Sequence, residues 1–134
     1  MQFFIPIIPP TVTAQQKGAR IAGDSIVFFT KDEVRESKVK LRAHLAQHRP
    51  ASPIPGPLQL VQKWIWPNLK KQQPRPYWKD TRPDCDNVTK LLQDVMEDLG
   101  YFENDAKIAS LVVEKFYGPR PGIYIEVNQL EEIK

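Results

Sequence analysis

The stretch DCDNVTKLLQDVMEDLG, residues 84–100, decides much of the fold because it carries a strong helical periodicity. At about 100° per residue, its apolar side chains fall within one arc: Val88, Leu91, Leu92, Val95, Met96 and Leu99. The polar side chains fall opposite: Asp86, Lys90, Gln93, Asp94 and Glu97. Gly100 is suited to end a helix. The pattern predicts an amphipathic helix over Asn87–Leu99 that packs one face on a core.

Strands are predicted on both sides of this helix. Leu58–Trp66 alternates, with one face formed by Leu58, Leu60, Gln62, Trp64 and Trp66. Ile108–Tyr117 and Ile123–Val127 are two further runs of this kind. The Gly- and Pro-rich residues 118–122 between them predict a hairpin.

The N-terminal part predicts a strand over Gln2–Ile8, a loop over Thr11–Asp24, a strand over Ser25–Phe29 and a helix over Lys31–Gln47. The region Asn68–Pro83 is basic, proline-punctuated and irregular. The order β-β-α-β-α-β-β predicts an α/β (α+β) fold: a single domain over residues 1–134, with one mixed β-sheet and two helices packed on it.

Composition excludes several classes. With 41% hydrophobic and 26% charged residues, the 134-residue chain is typical of a folded globular protein. Its one cysteine, Cys85, allows no internal disulfide, and a cytoplasmic location is expected. The short apolar N-terminus, interrupted by prolines, is interpreted as a strand and not as a signal peptide. We expect no membrane partner, since no apolar run approaches the ~20 residues of a membrane span. Without a nucleotide-binding fingerprint, we expect no organic cofactor.

Charge is unevenly distributed. The net charge is +3 and the pI about 9.0, with a basic stretch from Lys63 to Arg82 followed by an acidic stretch from Asp84 to Asp105. Charge alone suggests that five basic residues contact a DNA backbone: Lys70, Lys71, Arg75, Lys79 and Arg82. Two ordinary solvated surfaces would give the same pattern.

Three acids and one lysine form the candidate catalytic set. Asp84 and Asp86 lie at the helix entrance, and Asp105 lies before a strand. Mg²⁺ and Mn²⁺ prefer carboxylate oxygens, and a cation would reconcile these acids with a phosphodiester. Lys90, one turn after Asp86, is suited to stabilising charge on a phosphoryl group. Each residue also has an ordinary interpretation. Asp84 or Asp86 can be a helix N-cap, and Asp105 can be a plain loop acid. Lys90 can be part of a routine i,i+4 ion pair.

Other motifs carry less. Asp-x-Asp-Asn begins like a calcium loop, but Thr89 replaces its glycine. His44 and His48 have no neighbouring ligand at metal spacing, and Cys85 does not suit a hard cation. Trp64 and Trp66 are interpreted as core residues, whereas Trp78 is left open between core packing and stacking on DNA.

Residues 82–108, RPDCDNVTKLLQDVMEDLGYFENDAKI, resemble the core of the RusA-type Holliday junction resolvase family. That family shows a D-x-D-N-L-x-K helix entry, a leucine-rich helix, a G-[FWY]-[FWY] turn and a paired acid. The Ile-Pro-Pro segment near the N-terminus and the ending PGIYIEV are also similar, so the likeness spans nearly the whole chain. Asn104 departs from the pattern, because it replaces the first acid of the pair. Val88 and Cys85 are departures that we expect to be harmless.

The resemblance implies a homodimeric nuclease that resolves a four-way DNA junction by paired symmetric nicks in recombination and repair. It implies Mg²⁺, with Mn²⁺ as a substitute, held by Asp84, Asp86 and Asp105, and it makes Lys90 the essential lysine. It also suggests a phage or prophage origin. The alternative is a non-catalytic structural binder of branched DNA. Clustered acids argue against that alternative, since binding alone gains nothing from carboxylates beside phosphate.

Overall fold

The computed structural model describes residues 1–11, 19–22, 25–28, 31–69 and 73–133. Its strands and helices, in chain order, are β1 (Gln2–Ile5), β2 (Ala19–Ala22), β3 (Ser25–Phe28), α1 (Lys31–Gln47), β4 (Leu58–Pro67), β5 (Tyr77–Trp78), α2 (Cys85–Asp98), a 3-10 helix (Asp105–Lys107), β6 (Ile108–Gly118) and β7 (Gly122–Gln129). None of the helices in these ranges is long and apolar enough to cross a membrane.

One mixed sheet organises the described part of the chain. Its five strands lie in the order β1-β7-β4-β6-β5. β4 and β6 are parallel and are connected through α2, whereas β7 is antiparallel to β4. The predicted α/β (α+β) class, with a mixed sheet and two main helices, is therefore confirmed. A parallel pair needs such a crossover, because no short turn can return the chain to the same end of the sheet.

Several details of the prediction were wrong, and one is the short strand β5, which lies in the region predicted as irregular. β2 lies inside the region predicted as a loop, and it pairs with β3 in a separate two-stranded sheet. β6 and β7 do not form a hairpin, because β4 lies between them: Lys63 pairs with Glu114 on one side and with Tyr124 on the other. The connection from Gly118 to Gly122 instead passes the end of β4. Both edges of β4 are thereby hydrogen-bonded, which suits its buried inner face.

The core lies between the sheet and the two helices. On β4 the burial alternates as predicted, with buried residues at Leu58, Leu60, Gln62, Trp64 and Trp66. The predicted apolar face of α2 is also buried, and α1 adds Leu41 and Leu45. Gln62 is fully buried but satisfied, since it donates to Thr89 Oγ1 at 2.7 Å and accepts from Trp64 Nε1 at 2.8 Å. These bonds fix α2 against the centre of the sheet.

Candidate active site

The N-terminal end of α2 carries the first two candidate acids. The helix begins two residues earlier than predicted, so Asp84 is its N-cap residue. The Asp84 carbonyl accepts the amides of Asn87 and Val88, both at 3.1 Å. Its carboxylate makes no capping hydrogen bond. Asp86 follows in the first turn, and both residues are exposed. Capping therefore accounts for the backbone of Asp84 but not for its carboxylate.

The segment before Asp84 is held to the sheet by a buried lysine. Lys79 is only 8% exposed, and its ammonium donates to Thr81 Oγ1 at 2.6 Å and to Tyr117 Oη at 2.9 Å. The ammonium also lies over the ring of Trp66, 5.1 Å from the centroid. The hydrogen bonds from Lys79 and then from Thr81 lower the pKa of the Tyr117 phenol. The Lys79 ammonium is thus hydrogen-bonded inside the protein. It is not exposed to solvent, as the predicted contact with a DNA backbone would require.

Lys115 on β6 was missed by the sequence reasoning. Its Nζ donates to the carbonyl of Thr81 at 2.6 Å and to the carbonyl of Pro83 at 2.7 Å. A signal was available, because the alternation along β6 places Val113, Lys115 and Tyr117 on the same face of the strand. A lysine on a face that turns towards the core needs a partner.

Lys90 lies on the exposed face of α2. Its Nζ is 3.9 Å from Asp94 Oδ1, a pair spaced i,i+4 in which both side chains are about half exposed. The lysine therefore pairs with the acid one turn after it, not with Asp86 one turn before it. Exposed pairs of this kind contribute about 0.3–0.5 kcal/mol. The Lys90 ammonium accordingly remains accessible to a phosphate.

Asp105 lies at the other end of α2. Asn104 is the N-cap of the 3-10 helix, and its Oδ1 accepts the amide of Ala106 at 3.0 Å. The Asp105 amide donates to Glu97 Oε1 at 3.1 Å. With a rise of 1.5 Å per residue, Glu97 lies about 16 Å along the helix from Asp86. The chain thus brings Asp84 and Asp86 together and leaves Asp105 apart. Among the described residues, no three His, Cys, Asp or Glu side chains are grouped closely enough to hold a metal ion.

The remaining candidates are placed as follows. Arg75 and Arg82 are exposed, and Arg82 lies two residues before Asp84. Lys70 and Lys71 lie outside the described residues. Trp78 is 67% exposed and stacks on Phe116, with ring centroids 4.6 Å apart.

The residues set aside have ordinary surroundings. Trp64 and Trp66 are core residues, as predicted. His48 stacks on Phe3, with ring centroids 4.4 Å apart. Cys85 is exposed, and its Sγ lies 3.9 Å from the carbonyl oxygen of Val113.

Comparison with known proteins places this arrangement in a family. The family model described as Endodeoxyribonuclease RusA matches residues 8–128. The chain is 30% identical over 120 residues to the crossover junction endodeoxyribonuclease rusA of Lactococcus phage r1t, covering 88% of this chain and 89% of the phage protein. It is also 30% identical over 95 residues to the uncharacterized protein YqaN of Bacillus subtilis strain 168, covering 63% and 66% of the two chains. With its acid pair at the entrance of α2 and a family match over most of its length, the chain belongs to the RusA endodeoxyribonuclease family.

Proposed function

We propose that this protein is a metal-dependent endodeoxyribonuclease that resolves Holliday junctions by paired, symmetric nicks. The observation that carries the proposal is the Asp84 carboxylate, which is exposed at the helix entrance without a capping bond and lies two residues from Asp86. Family membership and the name of the phage relative support DNA as the substrate and a crossover junction as its form.

The acid pair suits a hard divalent cation. Mg²⁺ and Mn²⁺ are bound in many enzymes by one or two carboxylates together with water and substrate phosphate, and Asp84 and Asp86 supply two. When bound, such an ion supplies Lewis-acid stabilisation of the phosphoryl oxygens and a water of lowered pKa. The positive end of the α2 dipole favours anionic groups at the same place.

The other residues bind and orient the DNA. Lys90, exposed on the same helix, stabilises negative charge that develops on the phosphoryl group. The exposed Arg75 and Arg82 contact the phosphate backbone, a role that charge alone also suggests for Lys70 and Lys71. Lys79 has no part in this binding role, because its ammonium is taken up by Thr81 and Tyr117.

The position of Asp105 links the proposed mechanism to the number of chains in the protein. Because Asp105 lies about one helix length from Asp84 and Asp86 in its own chain, we propose that the protein is a homodimer in which one chain's acid pair works with the partner's Asp105. An isologous dimer places two such sites symmetrically, as a four-way junction of near two-fold symmetry requires. Sedimentation should give twice 15.5 kDa; a mass of one chain, with and without junction DNA, would contradict the dimer.

The test of the function uses a synthetic mobile four-way junction and a linear duplex of the same sequence. In Mg²⁺, paired nicks at symmetric positions should appear in the junction and not in the duplex. In excess EDTA the junction should be bound and left intact. Binding without nicks in both Mg²⁺ and Mn²⁺ would favour the alternative, a structural binder of branched DNA.

A further inference from the structure

Lys115 ties the strand β6 to the segment that leads into the acid pair. Its Nζ donates to the Thr81 and Pro83 carbonyls at 2.6 and 2.7 Å. Its own carbonyl accepts the amide of Lys79 at 3.0 Å. One residue of the sheet therefore bonds to both ends and the middle of residues 79–83.

These bonds reach the backbone immediately before Asp84. Pro83 has no amide hydrogen, so its carbonyl is the one backbone group through which it can be held by hydrogen bonding. On the other side, the Asp84 carbonyl is fixed by the amides of Asn87 and Val88. The backbone of Asp84 is thus fastened before it by Lys115 and after it by the helix. This arrangement restricts where the Asp84 and Asp86 carboxylates can point.

A lysine is well suited to this task. The ammonium has three donors and no acceptor, so one side chain can serve two carbonyls at once. Hydrogen bonds from a charged donor are about twice as strong as those between neutral groups. With two donors occupied by carbonyls of the same chain, the Lys115 ammonium is engaged in holding protein backbone.

We propose that Lys115 is a positioning residue: it sets the geometry of Asp84 and Asp86 for a divalent cation, and does so without touching DNA. The proposal rests on the proposed function, since it concerns the cation and the reaction named there. Residues that hold the ligands of a metal in place commonly contribute about 10- to 100-fold to metal affinity or activity.

The chain offers a matched control in Lys63. Lys63 lies on β4 and pairs in register with Glu114, the residue before Lys115, so the two lysines are on opposite faces of the sheet. Its Nζ is 3.9 Å from Glu114 Oε1, and its side chain is 45% exposed. Lys63→Met and Lys115→Met remove the same charge and keep a similar stem, but only the second releases residues 81–83.

The experiment compares parent, Lys115→Met, Lys115→Arg and Lys63→Met in three measurements: junction affinity in EDTA, Mn²⁺ binding by electron paramagnetic resonance, and the rate of junction cleavage. Lys115→Met should bind the junction within about twofold of parent, yet lose about 10- to 100-fold in Mn²⁺ affinity and in cleavage rate. Lys115→Arg, which can still donate to both carbonyls, should recover most of both losses. Lys63→Met should match parent in all three measurements.

Several results would overturn the proposal. Parental Mn²⁺ affinity in Lys115→Met would show that the acids need no help from β6. A weaker junction affinity with a flatter salt dependence would make Lys115 a DNA contact. If Lys115→Met does not fold, Lys115→Gln, which is neutral and too short to serve both carbonyls, is judged by the same criteria. Cleavage by parent and Lys115→Met alike, with Asp84→Asn inactive, refutes this proposal alone, whereas a parent that never cuts junctions refutes the proposed function.

Discussion

The two ends of α2 carry the same kinds of residue and use them differently. At the N-terminal end, Asp84 caps the helix with its carbonyl, and its carboxylate makes no capping bond. At the C-terminal end, the Asn104 side chain caps the 3-10 helix, and the Asp105 amide is bound by Glu97. The chain anchors the first end to the sheet through the buried Lys79 and the half-buried Lys115. The comparison teaches that nearness in the sequence does not bring the three candidate acids together, because Asp84 and Asp86 lie at one end of α2 and Asp105 lies at the other.

The largest expected effect concerns the acid pair. Asp84→Asn and Asp86→Asn should each reduce junction cleavage by ~10³-fold or more, because the loss of metal-based stabilisation is worth several kcal/mol. Both proteins should fold, since both side chains are exposed and the Asp84 carboxylate makes no capping hydrogen bond. In EDTA their junction affinity should equal or exceed that of parent. The matched control is Glu103→Gln, an exposed acid near the other end that pairs with Lys107 at 3.9 Å. Equal rates for Asp84→Asn and Glu103→Gln would refute the assignment.

The next largest effect should come from a substitution that loosens the attachment of α2 to the sheet. Gln62→Leu should lower the free energy of unfolding by about 1–3 kcal/mol, because it leaves the buried Trp64 Nε1 without an acceptor. Gln93→Leu is the control, since Gln93 is only half-buried and donates to Thr89 Oγ1 at 2.8 Å. In urea denaturation, the free energy of unfolding should be clearly lower for Gln62→Leu than for Gln93→Leu. The opposite ranking would show that the buried network does not stabilise this end of the helix.

Stability at high pH should depend on Tyr101, which follows the C-terminal end of α2. Burial raises the pKa of this phenol well above 10, and its hydroxyl donates to the Leu45 carbonyl. Above pH 10 the unfolded chain loses this proton while the folded chain keeps it, so the stabilisation is complete below pH 10 and is lost as the pH rises beyond it. The loss attributable to Tyr101 should be about 1 kcal/mol at pH 11. A Tyr101→Phe protein should show a shallower decline in melting temperature above pH 10; identical declines would contradict the account.

Asn104 should give the smallest effect. Asn104→Ala removes the side chain that caps the 3-10 helix and should cost about 1 kcal/mol. Asn104→Asp keeps the cap and restores the acid expected in the family motif, so its stability should stay within ~0.5 kcal/mol of parent. Thermal denaturation compares them. If both variants lose the same stability, the capping role assigned to Asn104 is wrong.

Periodicity predicted the helix and the central strand well. The buried faces of α2 and β4 follow directly from apolar side chains at helical and alternating spacing. Strand partners were less predictable, because hydrogen bonding between strands depends on the tertiary arrangement. β6 and β7 are neighbours in the chain, yet β4 separates them in the sheet. Nothing in their own residues indicates the insertion of a third strand.

The sequence predicted those parts of the candidate site that depend on residues close together in the chain. It did not predict those that depend on contacts between distant elements. Asp84 and Asp86 stay together because two residues connect them. The position of Asp105 could have been anticipated. The helix predicted over Asn87–Leu99 is more than ten residues long, and its length separates Asp105 from the acid pair. The burial of Lys79 could not be anticipated, because its partner Tyr117 lies on β6, far away in the chain.

The most direct test of the account asks whether the two ends of α2 meet across a dimer. Mixed dimers of an Asp84→Asn chain and an Asp105→Asn chain can be purified through two different affinity tags. If each site combines an acid pair with the partner's Asp105, one of the two sites in every mixed dimer keeps all its acids, and about half the sites should be intact. Mixed dimers should therefore nick a four-way junction on one strand, whereas each homodimer is inactive. Stable mixed dimers that make no nick would contradict the shared site.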